Sequence, residues 1–573
     1  MSFSLPELED AEVIFNMGYN GPVSHPLVAR RIVRAKKKGA KKKGAKIICV
    51  DPRRTETARI ADIYLPIKGG TNMLFLVSMA HVMITEDLID HEFIEAHTVG
   101  FAEYAKEVAK PEHSPEAVAD QTQLNPEDVR KAARLFASSK HTMTLWGMGV
   151  AQFSQGVECV IACSNLCLMT GNFGHYATGV GPVRGQNNVQ GTCDMGVLPN
   201  EYPGYQKVTD PEVRKKFEQA WGVPLSPHNG IPLTWVPDRV LREKDPKKQI
   251  HAYYIIGEDP AQSDPDLQEI REALSKVDLL ILQDIFFNKT SEYADILLPA
   301  TAWGEHEAVY SSCDRRFQRV HKLIEPQPGC KTDWEIICLL ANAMGYPMHY
   351  NNTQEIWDEM RHLAPKFIGA TYEKLEMDHG IQWPCYSEDP SDIGTKFLHE
   401  GAQFATPDKK GHFYYYPYKP VHEKESPEYP LTLATVREVG HYSVRTMTGN
   451  CRLLRSLEDE PGHITMNPED CKALGLTKGE LVRVVSKRGS TITRCLPTER
   501  VAKGATYMTY QWWVGACNEL TSANLDPKSN TPELKYCACR VEKIDDQAAA
   551  EALIRDQYAY IRQQMGITGG THE

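Results

Sequence analysis

The feature that most restricts the fold of this sequence is a strand–turn–helix–strand pattern that occurs twice. In the first copy an apolar run at residues 13–15 leads to Gly18, an amphipathic helix follows, and a second apolar run at residues 46–50 ends at Asp51. The second copy has the same order, and its corresponding positions are residues 253–256, Gly257, residues 279–282 and Asp284. Such units join parallel strands through a helix, so the chain is predicted to be an α/β protein.

The spacing within the two copies also agrees. Gly18 and Asp51 are 33 residues apart, or 28 if one copy of a five-residue tandem repeat is left out, and their counterparts are 27 residues apart. The next aspartate follows 11 residues later in both copies, at Asp62 and Asp295. Matched order and matched spacing indicate an internal structural repeat.

The first helix is predicted to be capped by Ser24 and is followed by a lysine-rich tandem repeat at residues 36–45. The repeat reads Lys-Lys-Lys-Gly-Ala twice and so contains six lysines. Lysines at a helix C-terminus suit the helix dipole and usually form a solvated end. Because the whole chain carries a net charge of −11, we predict no nucleic-acid partner.

The sequence also indicates the compartment. No apolar run reaches the ~18 residues of a membrane span, and the first seven residues lack the basic start and apolar core of a signal peptide. The fifteen cysteines form no C-x-x-C pair, which favours free thiols in a reducing environment. We predict a cytoplasmic protein without direct membrane insertion.

Three cysteines at four-residue intervals could suggest an iron–sulfur motif. Cys159, Cys163 and Cys167 lie in an apolar segment whose helical period places them along one stripe. A straight helix does not converge such side chains on a cluster, so we interpret them as small thiols that pack in a core.

The ends of the predicted parallel strands are the expected ligand sites. In open parallel sheets ligands bind beyond the carboxyl ends of the strands, where an acidic residue can hold a ribose or a base edge. Asp51 and Asp284 occupy that position in the two copies, which predicts two nucleotide-like moieties. Neither copy has the G-x-G-x-x-G turn of nicotinamide- and flavin-binding units.

A glycine-rich loop at residues 181–196 separates the two copies. It has neither a helical nor a strand period, so we predict that it forms no regular structure. Its glycines allow close approach of a ligand, and its four amide side chains offer donors and acceptors. Arg184, between these glycines, has a planar fork suited to a carboxylate or a phosphate.

The 573 residues exceed what one core can organise, and length alone favours about three or four domains. We predict three. The first two are Rossmann-like α/β nucleotide-binding domains related as an internal repeat, at residues 1–186 and, with insertions, 187–420. From residue 421 to 573, short strand patterns joined by turns predict a β-barrel. Residues 437–443 follow its first strand without an apolar face and are predicted to form a lid of polar contacts.

Five stretches of the sequence resemble the molybdopterin-dependent formate dehydrogenases, namely residues 181–196, 257–260, 303–307, 435–443 and 510–513. The resemblance covers essentially the whole chain. It implies a fold of the DMSO reductase type and a molybdenum or tungsten ion held by two molybdopterin guanine dinucleotides. The pair of dinucleotides agrees with the two nucleotide sites predicted from the repeat.

The resemblance also implies which residues hold each cofactor half. One dinucleotide would be lined by Asn20, Ser24, Asp51, Arg53, Gly147, Met148, Gln152 and Gln186. The other would be lined or covered by Gly257, Asp259, Ser263, Asp284, Arg437, His441 and Ser443.

The activity implied by the resemblance is oxidation of formate to carbon dioxide. Arg184 would bind the carboxylate and orient the C–H bond towards the metal. Electrons would leave through the pterin and an iron–sulfur cluster to an electron-transfer iron–sulfur protein or to hydrogenase subunits.

The sequence lacks the family's N-terminal part, with its [4Fe–4S] cysteines, the selenocysteine or cysteine that binds the metal, and a neighbouring histidine. No metal ligand is therefore assigned here, and we expect the isolated chain to be inactive. We hypothesise that an upstream UGA codon for selenocysteine was read as a stop and that Met1 is an internal methionine.

Two other functions stay open at this point. Since Arg184 alone does not name the substrate, the chain could be another molybdopterin oxidoreductase, such as a nitrate reductase. It could also be a non-catalytic remnant that only binds pterin. Metal and guanine analysis distinguishes the remnant from the enzymes, and formate-dependent dye reduction distinguishes formate dehydrogenase from other members.

Overall fold

The computed structural model describes residues 1–38, 44–376, 380–455, 457 and 460–567. The middle of the tandem lysine repeat lies outside these residues. The chain divides into two compact units: unit 1 comprises residues 1–183, 261–270 and 397–573, and unit 2 comprises residues 184–260 and 271–396. The three domain boundaries given above remain a prediction.

The strands of the described chain are β1 (Val13–Met17), β2 (Lys46–Val50), β3 (Ile63–Leu65), β4 (Thr98–Val99), β5 (Thr142–Trp146), β6 (Gly179–Pro182), β7 (Glu201–Tyr202), β8 (Gln206–Lys207), β9 (Ala252–Ile256), β10 (Leu279–Asp284), β11 (Ile296–Pro299), β12 (Ala308–Ser311), β13 (Arg316–Val320), β14 (Ile381–Gln382), β15 (Gly411–His412), β16 (Leu431–Val436), β17 (His463–Met466), β18 (Leu481–Val485), β19 (Ser490–Pro497), β20 (Ala505–Thr509) and β21 (Cys537–Lys543).

The α-helices are α1 (Gly21–Ser24), α2 (Pro26–Lys38), α3 (Glu56–Ile60), α4 (Asn72–Thr85), α5 (His91–His97), α6 (Phe101–Val108), α7 (Ala119–Thr122), α8 (Pro126–Ala137), α9 (Met148–Ala151), α10 (Gly156–Met169), α11 (Val189–Asp194), α12 (Pro211–Trp221), α13 (Val236–Leu241), α14 (Pro260–Ser263), α15 (Leu267–Lys276), α16 (Asp333–Ala343), α17 (Thr353–Leu363), α18 (Tyr372–Leu375), α19 (Arg452–Arg455), α20 (Pro468–Ala473) and α21 (Gln547–Gln564). Within the described ranges, none of them combines the length and the apolar character needed to cross a lipid bilayer.

Unit 1 contains a five-stranded parallel sheet in the order β3-β2-β1-β5-β6. Phe15 in the central strand pairs with Ile48 on one side and with Thr144 on the other. Every residue of β1 is buried, as expected for a parallel strand that is covered on both faces. The strand predictions for residues 13–15 and 46–50 are confirmed.

The predicted helix cap at Ser24 is wrong. Ser24 is the last residue of the short helix α1, and its hydroxyl donates to the carbonyl oxygen of Asn20 at 2.9 Å. The amphipathic helix α2 begins only at Pro26. A separate turn of helix therefore uses the serine hydroxyl that the sequence pattern assigned to the longer helix.

The C-terminal part of unit 1 is a closed barrel in the order β16-β20-β17-β19-β18-β21. Its first strand, β16, pairs in parallel with β20 and antiparallel with β21. Its apolar core includes the cysteines Cys471, Cys495, Cys517, Cys537 and Cys539. The predicted α/β class with a C-terminal β-barrel is confirmed.

Unit 2 contains a three-stranded parallel sheet, β11-β10-β9, and an antiparallel sheet, β12-β13-β14. In the parallel sheet Ile281 of β10 pairs with Tyr254 on one side and Ile296 on the other. The antiparallel sheet contributes to an apolar core that contains Phe317, Trp357 and Trp383.

Matched positions in the two parallel sheets make the same contacts. Asp62 accepts a hydrogen bond from the N–H of Ile47 at 2.9 Å, and Asp295 accepts one from the N–H of Leu280 at 2.7 Å. Gly18 and Gly257 both have positive φ angles, of 56° and 63°, directly after the first strand of their copy. Identical contacts at matched positions confirm the internal repeat.

The cysteine stripe lies on α10, where Cys159, Cys163 and Cys167 are all buried. Burial raises the pKa of each of these thiols, so they are neutral at physiological pH. Their predicted role as core residues is confirmed.

Candidate functional site

In unit 1 the glycine turns that follow the carboxyl ends of β1 and β5 contact each other through their backbones. The N–H of Gly149 donates to the carbonyl oxygen of Gly18 at 3.0 Å. A Cβ atom on Gly18 would lie 2.6 Å from the backbone of Gly149, and one on Gly147 would lie 2.9 Å from the oxygen of Gly18. Only glycine allows this close contact, which lies at the end of the sheet where open parallel sheets bind ligands.

Three predicted site residues surround these glycine turns. Asn20 precedes α1, and its buried Oδ1 atom has no hydrogen-bond partner within the described residues. The side chain of Met148 is exposed, and Gln152 ends the short helix α9. A buried amide oxygen without a donor indicates that this turn is shaped for a ligand that carries one.

Asp51, at the end of β2, lies in a cluster of charges within unit 1. Its Oδ1 accepts from the N–H of Arg53 at 2.9 Å, and the Arg53 guanidinium lies 5.2 Å from the centre of the Tyr507 ring. Burial raises the pKa of Asp51, and the positive charges of Arg53 and Lys535 oppose that rise. The cluster joins the sheet of unit 1 to its barrel.

Lys535, which no sequence pattern indicated as a site residue, belongs to this cluster. The ammonium group of Lys535 donates to the carbonyl and hydroxyl oxygens of Thr435 at 2.8 and 2.9 Å. The backbone N–H of Lys535 donates to the carbonyl oxygen of Gln152 at 3.3 Å. Burial, with the nearby charge of Arg53, lowers the pKa of Lys535 to about 8. Two cations facing one carboxylate favour an anionic ligand such as a phosphate.

The predicted polar lid, residues 437–443, follows β16 and is held by the His441 carbonyl. That oxygen accepts from Gln511 Nε2 at 2.8 Å and from the Arg437 guanidinium at 3.3 Å. The Nδ1 atom of His441 lies 3.1 Å from the hydroxyl of Thr448, while its buried Nε2 atom has no hydrogen-bond partner in the part of the chain that is described. Ser443 has a positive φ of 46°.

Burial, with a smaller contribution from the Arg445 charge, lowers the pKa of His441 to about 4. Unfolded histidine has a pKa of about 6.5, so between roughly pH 6.5 and 4 the unfolded chain binds a proton that the folded chain does not. The free energy of unfolding is therefore expected to fall as the pH drops through this window. Urea unfolding at pH 7.5 and 4.5 should show a smaller acid loss for His441→Asn, whereas exchange of the exposed His91 for asparagine should change it little. Equal acid losses in the wild type and His441→Asn would contradict this prediction.

Unit 2 has the corresponding strand ends. Asp284, at the end of β10, accepts from the N–H of Ile285 at 2.6 Å and from Asn288 Nδ2 at 2.9 Å, and burial raises the pKa of Asp284 to about 6. The buried Asp259 accepts from the N–H and hydroxyl of Thr290 at 2.9 and 2.7 Å. Asp259 thus fixes the turn after β10, while Gly257 has open space where a Cβ would be.

Arg184 lies in unit 2, and its NH1 atom donates to the sulfur of Cys193 at 2.9 Å. Gln186 beside it is exposed, and a Cβ on Gly185 would meet no atom within 4 Å. The guanidinium therefore contacts α11 through the Cys193 sulfur, and Arg184 as a whole is half-buried. A planar cation in this setting suits a small carboxylate.

The prediction that residues 181–196 lack regular structure is wrong. The strand β6 extends to Pro182, and the helix α11 spans Val189–Asp194. Tertiary hydrogen bonds hold this short helix, so its sequence carries no apolar period to reveal it.

The predicted site residues are divided between the units. Unit 1 contains Asn20, Ser24, Asp51, Arg53, Gly147, Met148, Gln152, Ser263, Arg437, His441 and Ser443. Unit 2 contains Arg184, Gln186, Gly257, Asp259 and Asp284. Ser263 belongs to the short helix α14, where its carbonyl accepts from Asn518 Nδ2 at 2.7 Å.

Comparison with known proteins agrees with this geometry. Residues 1–343 match the family model described as molybdopterin oxidoreductase, and residues 431–538 match the molybdopterin dinucleotide binding domain. The chain belongs to the molybdopterin oxidoreductase family.

Its relatives include formate dehydrogenases. Formate dehydrogenase H of Escherichia coli is 49% identical over 99% of this chain and 77% of its own length. The F420-dependent formate dehydrogenase subunit alpha of Methanocaldococcus jannaschii is 41% identical over 95% of this chain and 78% of its own length. Among solved structures, acetylene hydratase from Pelobacter acetylenicus has the same fold, with a TM-score of 0.74 at 21% identity over 95% of this chain and 79% of that one.

The residues of unit 1 fit the dinucleotide cofactor of this family. The buried Asn20 Oδ1 and His441 Nε2 atoms can each bond to a ligand. The Arg53 and Lys535 cations would suit the phosphates of such a ligand. Both sequence predictions, the family and its dinucleotide-binding β-barrel, are confirmed.

Proposed function

We propose that this chain is the catalytic subunit of a molybdenum- or tungsten-dependent formate dehydrogenase that oxidises formate to carbon dioxide. The observation that carries the proposal is the 49% identity with formate dehydrogenase H over nearly the whole chain. The half-buried Arg184, whose guanidinium donates to the sulfur of Cys193, supports it.

Arg184 has the chemistry to bind formate. Its guanidinium presents parallel N–H donors to the two carboxylate oxygens, which fixes the orientation of the substrate as well as its position. The contact with Cys193 restricts the guanidinium before substrate arrives, so less freedom is lost on binding. When bound, the molybdenum or tungsten centre supplies an acceptor for two electrons.

The two dinucleotides of the cofactor are proposed to use the two copies of the internal repeat. One would contact Asn20, Ser24, Asp51, Arg53, Gly147, Met148, Gln152 and Gln186, with Lys535 added from the structure. The other would contact Gly257, Asp259, Ser263, Asp284, Arg437, His441 and Ser443. Matched glycines and aspartates at the strand ends support this assignment.

The proposal includes an electron acceptor outside this chain, either an iron–sulfur protein or hydrogenase subunits. The three cysteines of α10 are buried along one helix and are not proposed as ligands of a [4Fe–4S] cluster. We place the enzyme in the cytoplasm, and the support for this is that all fifteen cysteines are free thiols.

The function is tested on the enzyme isolated with its partner subunits by antibodies against this chain. We expect molybdenum or tungsten, a pair of guanine nucleotides per chain, and formate-dependent reduction of a viologen dye. Nitrate should not oxidise the reduced dye. Reduction of nitrate without oxidation of formate would contradict the proposal and indicate another member of the family. Absence of guanine would show that the protein does not bind this cofactor, which would also contradict the proposal.

A further inference from the structure

Asp194 is a buried carboxylate that the proposed reaction does not use directly. It is fully buried at the end of α11. Its Oδ1 accepts from Gln190 Nε2 at 2.7 Å and Tyr205 OH at 2.8 Å. Its Oδ2 accepts from Ser311 Oγ at 2.7 Å and Trp383 Nε1 at 2.9 Å.

These four neutral donors come from separate parts of unit 2. Gln190 belongs to α11 itself, Tyr205 to the turn between β7 and β8, and Ser311 to the end of β12, while Trp383 follows β14. One carboxylate therefore connects a helix, a hairpin and an antiparallel sheet through hydrogen bonds. An amide could accept with only one of its two atoms, so an aspartate is required for this pattern.

Ser311 holds both ends of α11. Its N–H donates to Asn188 Oδ1 at 2.9 Å, at the residue that precedes the helix, and its hydroxyl donates to Asp194 at the last residue. Asn188 has a positive φ of 57°, and a Cβ on Gly191 would lie 2.1 Å from its side-chain oxygen. The helix is thereby fixed in position and in rotation.

The helix α11, which these hydrogen bonds hold in place, includes the residue that contacts Arg184. Cys193 is the residue before Asp194, and its sulfur accepts from Arg184 NH1 at 2.9 Å. A rotation of α11 would move this sulfur and with it the guanidinium. Misplacement of a binding group by about 1 Å can cost on the order of 10²-fold in rate.

We infer that Asp194 is a positioning residue for Arg184, acting through α11 and the Cys193 sulfur to hold the guanidinium in the orientation that binds formate. The inference rests on the proposed function of Arg184. A buried carboxylate is costly compared with apolar packing, which fits a role in specifying geometry better than a role in stability alone.

The test compares Asp194→Asn with a matched control in the holoenzyme. Glu359 of α17 also accepts from a tryptophan and a tyrosine, Trp221 Nε1 at 3.0 Å and Tyr350 OH at 2.8 Å, and neither of these donors belongs to the Arg184 loop. We expect Asp194→Asn to lower kcat/KM for formate about 10–100-fold, mainly through KM, at unchanged metal and guanine content. Glu359→Gln should stay within about twofold.

Substitutions at Cys193 test the path to Arg184. Cys193→Ser keeps an acceptor and should stay within about threefold of the wild-type kcat/KM, whereas Cys193→Ala should lose about tenfold. Adding Cys193→Ala to Asp194→Asn should cost little more than Asp194→Asn alone, since both changes act on one contact. If the losses in kcat/KM of the two single variants added fully in the double variant, Asp194 would not act on Arg184 through Cys193.

A second readout needs no cofactor. In the cofactor-free chain, the rate of alkylation of Cys193 by iodoacetamide, measured on its peptide against the exposed Cys451, should rise about tenfold in Asp194→Asn and not in Glu359→Gln. An unchanged alkylation rate together with an unchanged KM would refute the inference. Failure of the wild-type enzyme to oxidise formate would refute the proposed function instead, and the alkylation rates would still report on the geometry of α11.

Discussion

Replacement of Arg184 by lysine is expected to lower kcat/KM for formate by on the order of 10²–10³-fold in the holoenzyme. Lysine keeps the positive charge but loses the planar fork, so formate is still attracted but is no longer held in one orientation by paired hydrogen bonds. Steady-state kinetics with a viologen dye measure the loss. Metal and guanine content should stay at the wild-type level, because the residues proposed to hold the cofactor are unchanged.

Arg184→Met removes the charge as well and should be worse than Arg184→Lys, with a higher KM for formate. Arg214, a half-buried arginine on α12 that lies near Glu218, offers the control Arg214→Lys, which should keep full activity. Near-normal activity of Arg184→Lys, or loss of metal from either Arg184 variant, would make Arg184 a structural residue of its loop.

The second large effect concerns stability. Glu460→Gln is expected to destabilise the barrel of unit 1 by about 3–5 kcal/mol. Glu460 forms a buried ion pair with Arg445, whose side chain is fully buried, and it accepts the N–H groups of Trp513 and Val514 at 3.3 and 3.1 Å. The variant removes the negative charge that faces the buried guanidinium, which the rings of Trp512 and Trp513 also contact.

Urea unfolding followed by tryptophan fluorescence measures this loss, because both rings lie against the ion pair. Glu542→Gln is the matched control, since Glu542 pairs with Arg540 at 2.7 Å in a more exposed position of the barrel. Exposed pairs contribute about 0–1 kcal/mol, so this variant should unfold almost like the wild type. Equal losses in the two variants would mean that burial adds nothing to the Arg445–Glu460 pair.

The sequence predicted the strands that carry the site because their apolar runs are local signals. Residues 13–15, 46–50 and 279–282 all lie in parallel strands, and residues 431–435 begin the barrel. Arg184 was identifiable from its glycine-rich surroundings. Helix α11 was missed because it is held by hydrogen bonds to Ser311, more than a hundred residues away.

Elements with similar apolar sequences also differ in how deeply they are buried. Every residue of β1 is buried, whereas in β9, its counterpart in the repeat, only Ile255 is buried. The apolar helix α4 has eleven buried residues, and the apolar helix α16 of unit 2 has one, Ile336. Periodicity specifies which face is apolar, but what covers that face depends on the rest of the fold.

The sequence by itself determined the family, the repeated parallel-sheet units and the barrel, and it singled out Arg184 as the candidate to bind substrate, because each of these signals lies in short runs of residues. Only the tertiary structure decided that Lys535 joins Asp51 and Arg53, and that Ser311 and Trp383 join the nearby Gln190 and Tyr205 as donors to Asp194. Lys535 is more than 480 residues from Asp51 and Arg53 in the sequence, and Ser311 and Trp383 are more than 100 residues from Asp194. Their charge and hydrogen-bond energies depend on distances that folding sets and that no local pattern records.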